Sequence, residues 1–361
     1  MIGAPVLIMA GGTGGHVFPA LAVAKVLRER GVAVVWLGVP GSMESRVVPA
    51  NGFPMEWVRI AGLRGKGLLA WLVAPVRVLK GVFQVMAVLR RVRPRAVIGL
   101  GGYVSGPGGI AAWMLRIPLL IHEQNAVAGL TNRMLARLGA QVLEGFPDSF
   151  GARVKARCIG NPVRADIAAV AEPKLRFAGR ESRSRLLVLG GSQGAQRLNS
   201  VVPQALAGLD PGNRPQVRHQ AGERGLEAAR TAYLEARVEA EVLPFIDDMA
   251  AAYAWADLAV CRAGALTISE LQAAGLGALL VPFPAAVDDH QTRNADLMVR
   301  IGAARVMQER DLTSERLGAC LAALTASRAN MLKMAEAARG VRVIDAAAQL
   351  ADACIAAEQS A

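Results

Sequence analysis

Residues 257–295 read DLAVCRAGALTISELQAAGLGALLVPFPAAVDDHQTRNA, and the fold turns on how they are read. An apolar run at 258–261 gives way to a glycine-containing turn, then to a helical pattern whose first turn carries Thr267, Ser269 and Glu270. A second apolar run at 278–281 follows, and a loop bounded by Pro282 and Pro284 leads into another helix near Asp289. A strand–turn–helix unit with small residues at its turn leaves main-chain N–H groups unpaired at a helix N-terminus, which suits a phosphate. Glu270, one turn in, can accept hydrogen bonds from a ribose diol, while Gln291 and Asn294 offer donors and acceptors to a sugar. Taken alone, the stretch is equally an ordinary βαβ unit with a capped helix.

The rest of the chain repeats this grammar. Apolar β-prone runs alternate with helical patterns, the mark of α/β architecture with parallel sheets covered on both faces. Strands are predicted near 6–10, 33–37, 55–60, 96–99, 119–122 and 141–143, with helices between them such as 17–30 and 107–116. Asn161-Pro162 punctuates a break around 160–164, and the charged, irregular stretch 171–185 follows. The grammar then restarts with a strand at 185–189, a glycine loop and a helix from Ala195. VLIMAGGTGGH opens one half and LLVLGGSQGAQ the other, so two similar nucleotide-fold domains facing each other are expected, 1–162 and 163–341. The tail is alanine-rich and helical, and a last helix at 344–357 is expected to pack back on the first domain.

Composition narrows the partners. A chain of 361 residues suits two domains, each with its own core. Hydrophobic residues make up 53% and the mean hydropathy is +0.32. A net charge of +12 and an isoelectric point near 10.4 point to an anionic partner: a phosphate ligand, nucleic acid or a membrane surface. Aromatics are only 4% and no basic–aromatic surface pattern occurs, which argues against nucleic acid. Cys158, Cys261, Cys320 and Cys354 have neither zinc-ligand spacing nor a disulfide framework, and a reducing cytosol fits. No cleavable signal peptide is expected. Residues 96–115 hold six glycines and a proline, and 271–287 are broken by Gly275, Gly277, Pro282 and Pro284, so no transmembrane helix is expected.

Three glycine loops follow predicted strands: Gly11-Gly12-Thr13-Gly14-Gly15-His16, residues 99–109 and residues 190–194. The first lacks G-x-G-x-x-G spacing and the second strand ends Trp36-Leu37-Gly38 without an acidic residue, which counts against a nicotinamide enzyme. No Walker A sequence occurs, since Gly65-Lys66-Gly67 lacks the Ser/Thr and the upstream glycine. Three such loops at strand ends predict a phosphate-bearing ligand in a cleft between the domains. His122-Glu123-Gln124-Asn125 is a polar quartet ending a strand and is expected to touch ligand; with Ala126 next it is no zinc H-E-x-x-H motif. His219 reads as structural and Asp247-Asp248 as a helix cap. No D-x-D pair occurs, so neither a catalytic metal nor a cofactor is expected.

Residues 68–91 read LLAWLVAPVRVLKGVFQVMAVLRR. After Pro75, Arg77, Lys80, Gln84 and Arg91 share one helical stripe, with Val78, Leu79, Val82, Val85, Met86 and Leu89 elsewhere. The apolar arc exceeds one sheet contact, and Arg64, Lys66, Arg90, Arg91 and Arg93 border it. That combination predicts shallow insertion into an anionic membrane. Arg64, Lys66, Arg77 and Lys80, with Tyr103 of the second glycine loop, are expected to serve the acceptor and the membrane.

GGTGGH, GLGGYVSGP, HEQNAVAGLTN, GNPVR, GGSQGA, FIDDM, CRAGALTISE and DDHQTRNA occur in this order. The chain thereby resembles, over essentially its whole length, the bacterial undecaprenyldiphospho-muramoylpentapeptide β-N-acetylglucosaminyltransferases. The resemblance implies a GT-B fold, two Rossmann-like domains around a cleft, with the first domain serving acceptor and membrane and the second the donor. It implies inverting transfer of N-acetylglucosamine from UDP-N-acetylglucosamine to the C4 hydroxyl of the muramoyl sugar of lipid I, at the cytoplasmic face of the inner membrane, with no required metal. The implied donor site comprises Thr13, Gly14, Gly15, Asn125, Arg164, Ser192, Ile246, the run Ala265, Leu266, Thr267, Ile268, Ser269 and Glu270, and Gln291. In it Ile246 presents backbone to the uracil, Glu270 holds the ribose, and Ser192 with the amides near Leu266 and Thr267 meets the diphosphate. Gln291 and Asn294 read the sugar, and His290 stands where relatives often have glutamine. Inversion implies one base. His16 is the leading candidate; alternatively it clamps the acceptor diphosphate, with His122 or Glu123 nearer the hydroxyl. Two rivals stand beside this reading: a UDP-N-acetylglucosamine 2-epimerase of the same fold, and a non-catalytic membrane-attached scaffold.

Overall fold

The computed structural model describes residues 3–60, 74–190, 195–284 and 289–357, so Arg64, Lys66 and Ser192 lie outside the described residues. The chain forms two compact units, Met1–Val163 with Asp345–Ala361, and Arg164–Ile344.

The first unit is a parallel sheet of seven strands: β1 (Val6–Ala10), β2 (Val34–Gly38), β3 (Met55–Trp57), β4 (Ala96–Gly101), β5 (Leu119–Glu123), β6 (Gln141–Glu144) and β7 (Arg157–Cys158), in the order β3-β2-β1-β4-β5-β6-β7. Its helices are α1 (Gly14–Glu29), α2 (Glu44–Ala50), α3 (Ala74–Val92), α4 (Ser105–Met114) and α5 (Leu130–Arg137). Every residue of β1 is wholly buried. Alternate side chains explain why: Val6, Ile8 and Ala10 pack with Val17, Leu21 and Leu27 of α1, and Leu7 and Met9 pack with Val82, Val85 and Leu89 of α3 on the other face.

The second unit has six parallel strands: β8 (Arg185–Leu189), β9 (Gln216–Gln220), β10 (Glu241–Leu243), β11 (Leu258–Cys261), β12 (Ala278–Leu280) and β13 (Ala304–Val306), in the order β10-β9-β8-β11-β12-β13. Helices α6 (Ala165–Ala168), α7 (Pro173–Phe177), α8 (Gln196–Ala207), α9 (Leu226–Glu235), α10 (Met249–Trp255), α11 (Ala265–Ala274), α12 (His290–Arg300), α13 (Ser314–Thr325) and α14 (Arg328–Gly340) cover it. The last helix, α15 (Ala346–Ala356), belongs to the first unit, where Leu350 and Cys354 join the α1 side of the core.

Several details depart from the sequence pattern. β3 stops at Trp57 rather than running to residue 60, and α1 begins at Gly14, so His16 lies inside its first turn. The expected apolar stripe of α3 splits. Val82, Val85, Met86 and Leu89 are buried, whereas Leu79, Val76 and Phe83 are exposed. Among the described residues no helix is long and apolar enough to cross a membrane.

Buried polar groups pin the second unit. The Arg176 guanidinium donates to the carbonyls of Tyr253, Ala256, Ala274 and Gly275, where α10 and α11 end and partial negative charge gathers. His219 on β9 bridges two helices: Nδ1 accepts from the Tyr233 hydroxyl at 3.0 Å and Nε2 donates to Asn199 Oδ1 at 3.1 Å. Burial lowers its pKa to about 4. The folded state thus holds a neutral imidazole, and between pH 6.5 and 4 the unfolded chain binds the extra proton. Stability from this group is therefore complete above about pH 6.5 and lost as pH falls toward 4, by on the order of 3 kcal/mol. The thermal unfolding midpoint of the second unit is expected to fall across that window, with a shallower slope in His219→Gln, as calorimetry against pH would measure.

Candidate active site

In a doubly wound sheet the loops that leave the C-terminal strand ends carry the chemistry. In the first unit the loop after β1 turns into α1 and places His16, half-buried, one turn in. Its Nδ1 lies 3.1 Å from the Gly11 carbonyl oxygen and 3.4 Å from Thr13 Oγ1. A carbonyl only accepts, so Nδ1 carries the proton of the neutral ring and Nε2 carries the lone pair that can take one up. The ring rests on Gly101, where a Cβ would stand 2.5 Å from His16 Cδ2. Beside it Gly102 has φ +87°, and a Cβ there would meet the Gly11 carbonyl at 2.4 Å. The first two glycine loops therefore interlock backbone to backbone. Thr13 and Gly15 are exposed, and Gly14 is half-buried, where a Cβ would come within 3.0 Å of the Phe18 ring. Tyr103 closes the other side: a Cβ on Gly12 would lie 3.3 Å from its ring, and burial, then the Glu44 charge, raise its pKa.

His122 and Glu123 both lie below the surface. His122 is wholly buried, with Nε2 bonded to the Gly160 carbonyl at 2.9 Å, and burial lowers its pKa to about 4. Glu123, 4% exposed, accepts from the Asn125 and Gly129 amides and from the side chains of Asn125 and Asn132 at 2.8–3.1 Å. Glu123 carries the 124–132 loop from beneath, and His122 ties β5 to the Gly160 carbonyl. Asn125 is half-buried at that loop's rim.

The sequence pattern passed over Glu44. It looks like an ordinary residue opening a surface helix, yet it is fully buried and takes the Gly12 amide at 3.0 Å and the Val39 amide at 3.4 Å.

In the second unit, α11 starts after Gly264 in extended conformation with no side-chain cap, so the amides of Ala265, Leu266 and Thr267 stand at an open helix N-terminus. Ile268 and Ser269 turn the other way. Ile268 is core, and the Ser269 hydroxyl donates to the Ala265 carbonyl at 3.0 Å. Glu270 is half-buried, and its Oε2 accepts from the Tyr253 hydroxyl at 2.8 Å. Burial raises its pKa, while the Tyr253 bond and the nearby Arg164 charge pull it back. Tyr253 is wholly buried and had no sequence signal beyond a helical aromatic.

Gln291 and Asn294 stitch backbone together. Gln291 Oε1 accepts from the Ala263 and Phe283 amides at 3.2 and 2.9 Å, and Asn294, wholly buried, donates to the Ala263 carbonyl at 3.1 Å. Asn294 thus holds the turn before α11. Arg262 braces the same loop through the Val281 and Pro282 carbonyls and pairs with Glu309. The Ile246 amide is given to Gln220 Oε1 at 3.1 Å. Asp248 caps α10 through the Ala251 amide at 2.8 Å. Among the described residues no three His, Cys, Asp or Glu side chains gather as a metal site.

Comparison with known proteins gives this geometry a context. Residues 6–144 match the glycosyltransferase family 28 N-terminal domain and residues 185–350 its C-terminal domain. A relative from Marinobacter nauticus, a UDP-N-acetylglucosamine–N-acetylmuramyl-(pentapeptide) pyrophosphoryl-undecaprenol N-acetylglucosamine transferase, is 55% identical, covering 97% of this chain and 96% of the relative. A protein of the same name from Nitrosococcus oceani is 56% identical, covering 97% and 98%. The crystal structure of Acinetobacter baumannii MurG superposes with a TM-score of 0.84 at 41% identity, covering 97% of this chain and 99% of that one.

If Glu270 grips a ribose, its Tyr253 bond matters to affinity. Tyr253→Phe is expected to weaken uridine diphosphate binding roughly three- to tenfold by calorimetric titration. The loss should grow as pH falls, because a carboxyl already raised by burial loses the donor that favours its charge. Unchanged affinity at every pH would detach Glu270 from the nucleotide.

Proposed function

The chain belongs to glycosyltransferase family 28, and on that premise we propose its activity: it transfers N-acetylglucosamine from UDP-N-acetylglucosamine to lipid I, giving lipid II of peptidoglycan synthesis. The observation that carries this is identity above one half, end to end, with relatives named for that transfer. The fold is GT-B, two Rossmann-like parallel-sheet units. The acceptor is the muramoyl C4 hydroxyl, and the anomeric configuration inverts.

The roles divide between the units. Uridine diphosphate belongs to the second, where the open N-terminus of α11 meets the diphosphate, Glu270 the ribose and the Ile246 carbonyl the uracil. The acceptor belongs to the first, with His16 as base. As the C4 oxygen bonds to the anomeric carbon, its proton passes to His16 Nε2 and the sugar–phosphate bond breaks, its electron pair leaving on the diphosphate. Amides and helix dipole are then aimed at charge that appears only during reaction. Arg164, beside Glu270, is a further contact we assign to the donor.

The exposed face of α3 explains attachment to a membrane. Val76, Leu79 and Phe83 are 68%, 56% and 59% exposed, and Arg77, Lys80, Arg90 and Arg91 flank them. Three apolar side chains offered to acyl chains and the cations of Arg77, Lys80 and Arg90 offered to anionic headgroups act together, while Arg91 is paired with Glu56. On this reading the protein sits on the cytoplasmic leaflet, and the paired apolar and cationic side chains of α3 support it.

Transfer of labelled sugar from UDP-N-acetylglucosamine to a lipid I analogue, with and without chelator, tests the activity. Transfer in both conditions is expected, and conversion of the donor alone to its manno epimer would favour the epimerase. His16→Ala is expected to lower kcat roughly a hundredfold or more with donor KM little changed, and near-normal turnover would remove His16 as base. Leu79→Ser with Phe83→Ser should lower flotation with anionic vesicles at least tenfold while sparing transfer to a water-soluble acceptor.

A further inference from the structure

We propose that Glu44 is a positioning residue that acts on His16 through one peptide group, in a relay of carboxylate, peptide and imidazole. The proposal rests on the reading of His16 as base.

The two hydrogen bonds that define the relay meet on a single amide plane. Glu44 Oε2 accepts the Gly12 N–H at 3.0 Å, and the carbonyl of that same peptide, the Gly11 oxygen, accepts His16 Nδ1–H at 3.1 Å. A carboxylate bonded to the N–H end of a peptide draws electron density toward its carbonyl oxygen, because hydrogen bonds in series polarise one another. The oxygen becomes a stronger acceptor for Nδ1–H, and the imidazolium formed when Nε2 takes the acceptor proton is stabilised. No proton crosses the peptide: the proton lost by the hydroxyl stays on Nε2 until solvent removes it. Where a histidine base is more commonly steadied by a carboxylate bonded directly to its ring, here one peptide group stands between the two.

The surroundings are built for this carboxylate. Glu44 is wholly buried, where a charge needs several partners to persist. Besides Gly12 it takes the Val39 amide at 3.4 Å, and burial, then its charge, raise the pKa of the neighbouring Tyr103. A Cβ at Gly11 would stand 2.7 Å from Glu44 Oε1, and one at Gly38 would stand 3.1 Å from Glu44 Cγ. Those two glycines admit the carboxylate. The opening of GGTGGH is therefore shaped around an internal anion, and its Gly12 amide is already committed rather than offered to a phosphate.

Glu44→Gln keeps the shape and removes the charge. With it, kcat is expected to fall roughly three- to tenfold while donor KM stays within about twofold, and the acid limb of the pH–rate profile should shift. In the His16→Ala background the same change should cost nothing further in kcat, since the relay has lost its end point. A purely structural Glu44 would cost the same in both backgrounds, and equal losses would overturn the proposal. One readout needs no variant: nitrogen-15 histidine spectra of the full wild-type chain should show neutral His16 protonated at Nδ1, and an Nε2-protonated tautomer would also overturn it. Near-normal turnover of His16→Ala would instead overturn the reading of His16 as base, so the two failures are distinguishable.

Discussion

A parallel strand stops donating to its ladder at its end, and every main-chain N–H in the loop that follows needs a new partner or costs about 1–3 kcal/mol when buried. In this protein buried or half-buried side chains are that partner. Glu44 takes the amides of Gly12 and Val39, Glu123 those of Asn125 and Gly129, and Glu144 those of Asp148 and Ser149. In the second unit Gln291 takes the amides of Ala263 and Phe283, and Gln220 that of Ile246. The loops that carry the chemistry are thus set by side chains beneath them before substrate arrives.

The two units differ in the charge of these ties, and the difference has a consequence. In the first unit three are carboxylates, beside neutral ties from Ser105 and Gln124 at the end of β4. In the second, around the turn before α11, they are the neutral amides of Gln220, Gln291 and Asn294, and the nearby carboxylate of Glu309 is paired with Arg262. A doubly charged diphosphate at the α11 N-terminus would be repelled by anionic ties within a few ångströms and is not repelled by amides. A base that must carry positive charge during reaction gains from an anion behind it. On the proposed roles, Glu44 behind His16 and the amides around the α11 N-terminus are the kinds of tie that the charge in each place tolerates.

Much of this was legible in the sequence. The buried runs at 6–10, 185–189 and 258–261 are continuous because both faces of each strand are covered, and such runs are hard to misread. The strands without a clear signal, β7, β9, β10 and β13, are short or carry polar residues such as Arg218 and Glu241, which pair at a half-exposed edge. The glycine loops were visible, but their reason was hidden: a doubled glycine looks the same whether it admits a phosphate or a carboxylate from residue 44. His122, Glu123, Ser269 and Asn294 were polar residues at strand ends and helix starts, where composition points to ligand. Only coordinates reveal which way each side chain turns, and these four turn inward. Tyr253 and Glu44 were missed for the converse reason, since a helical aromatic and a helical glutamate carry no mark of the partner they meet in space.

Amide hydrogen exchange of the substrate-free protein, resolved at Gly12, Gly129 and Ala263, tests most directly whether these loops are set in advance. The account predicts that all three exchange far more slowly than in an unstructured chain, and that Glu44→Ala, which removes the acceptor, releases Gly12 while Gly129 and Ala263 stay protected. Exchange of all three at free-peptide rates, slowing only when substrate is added, would contradict it.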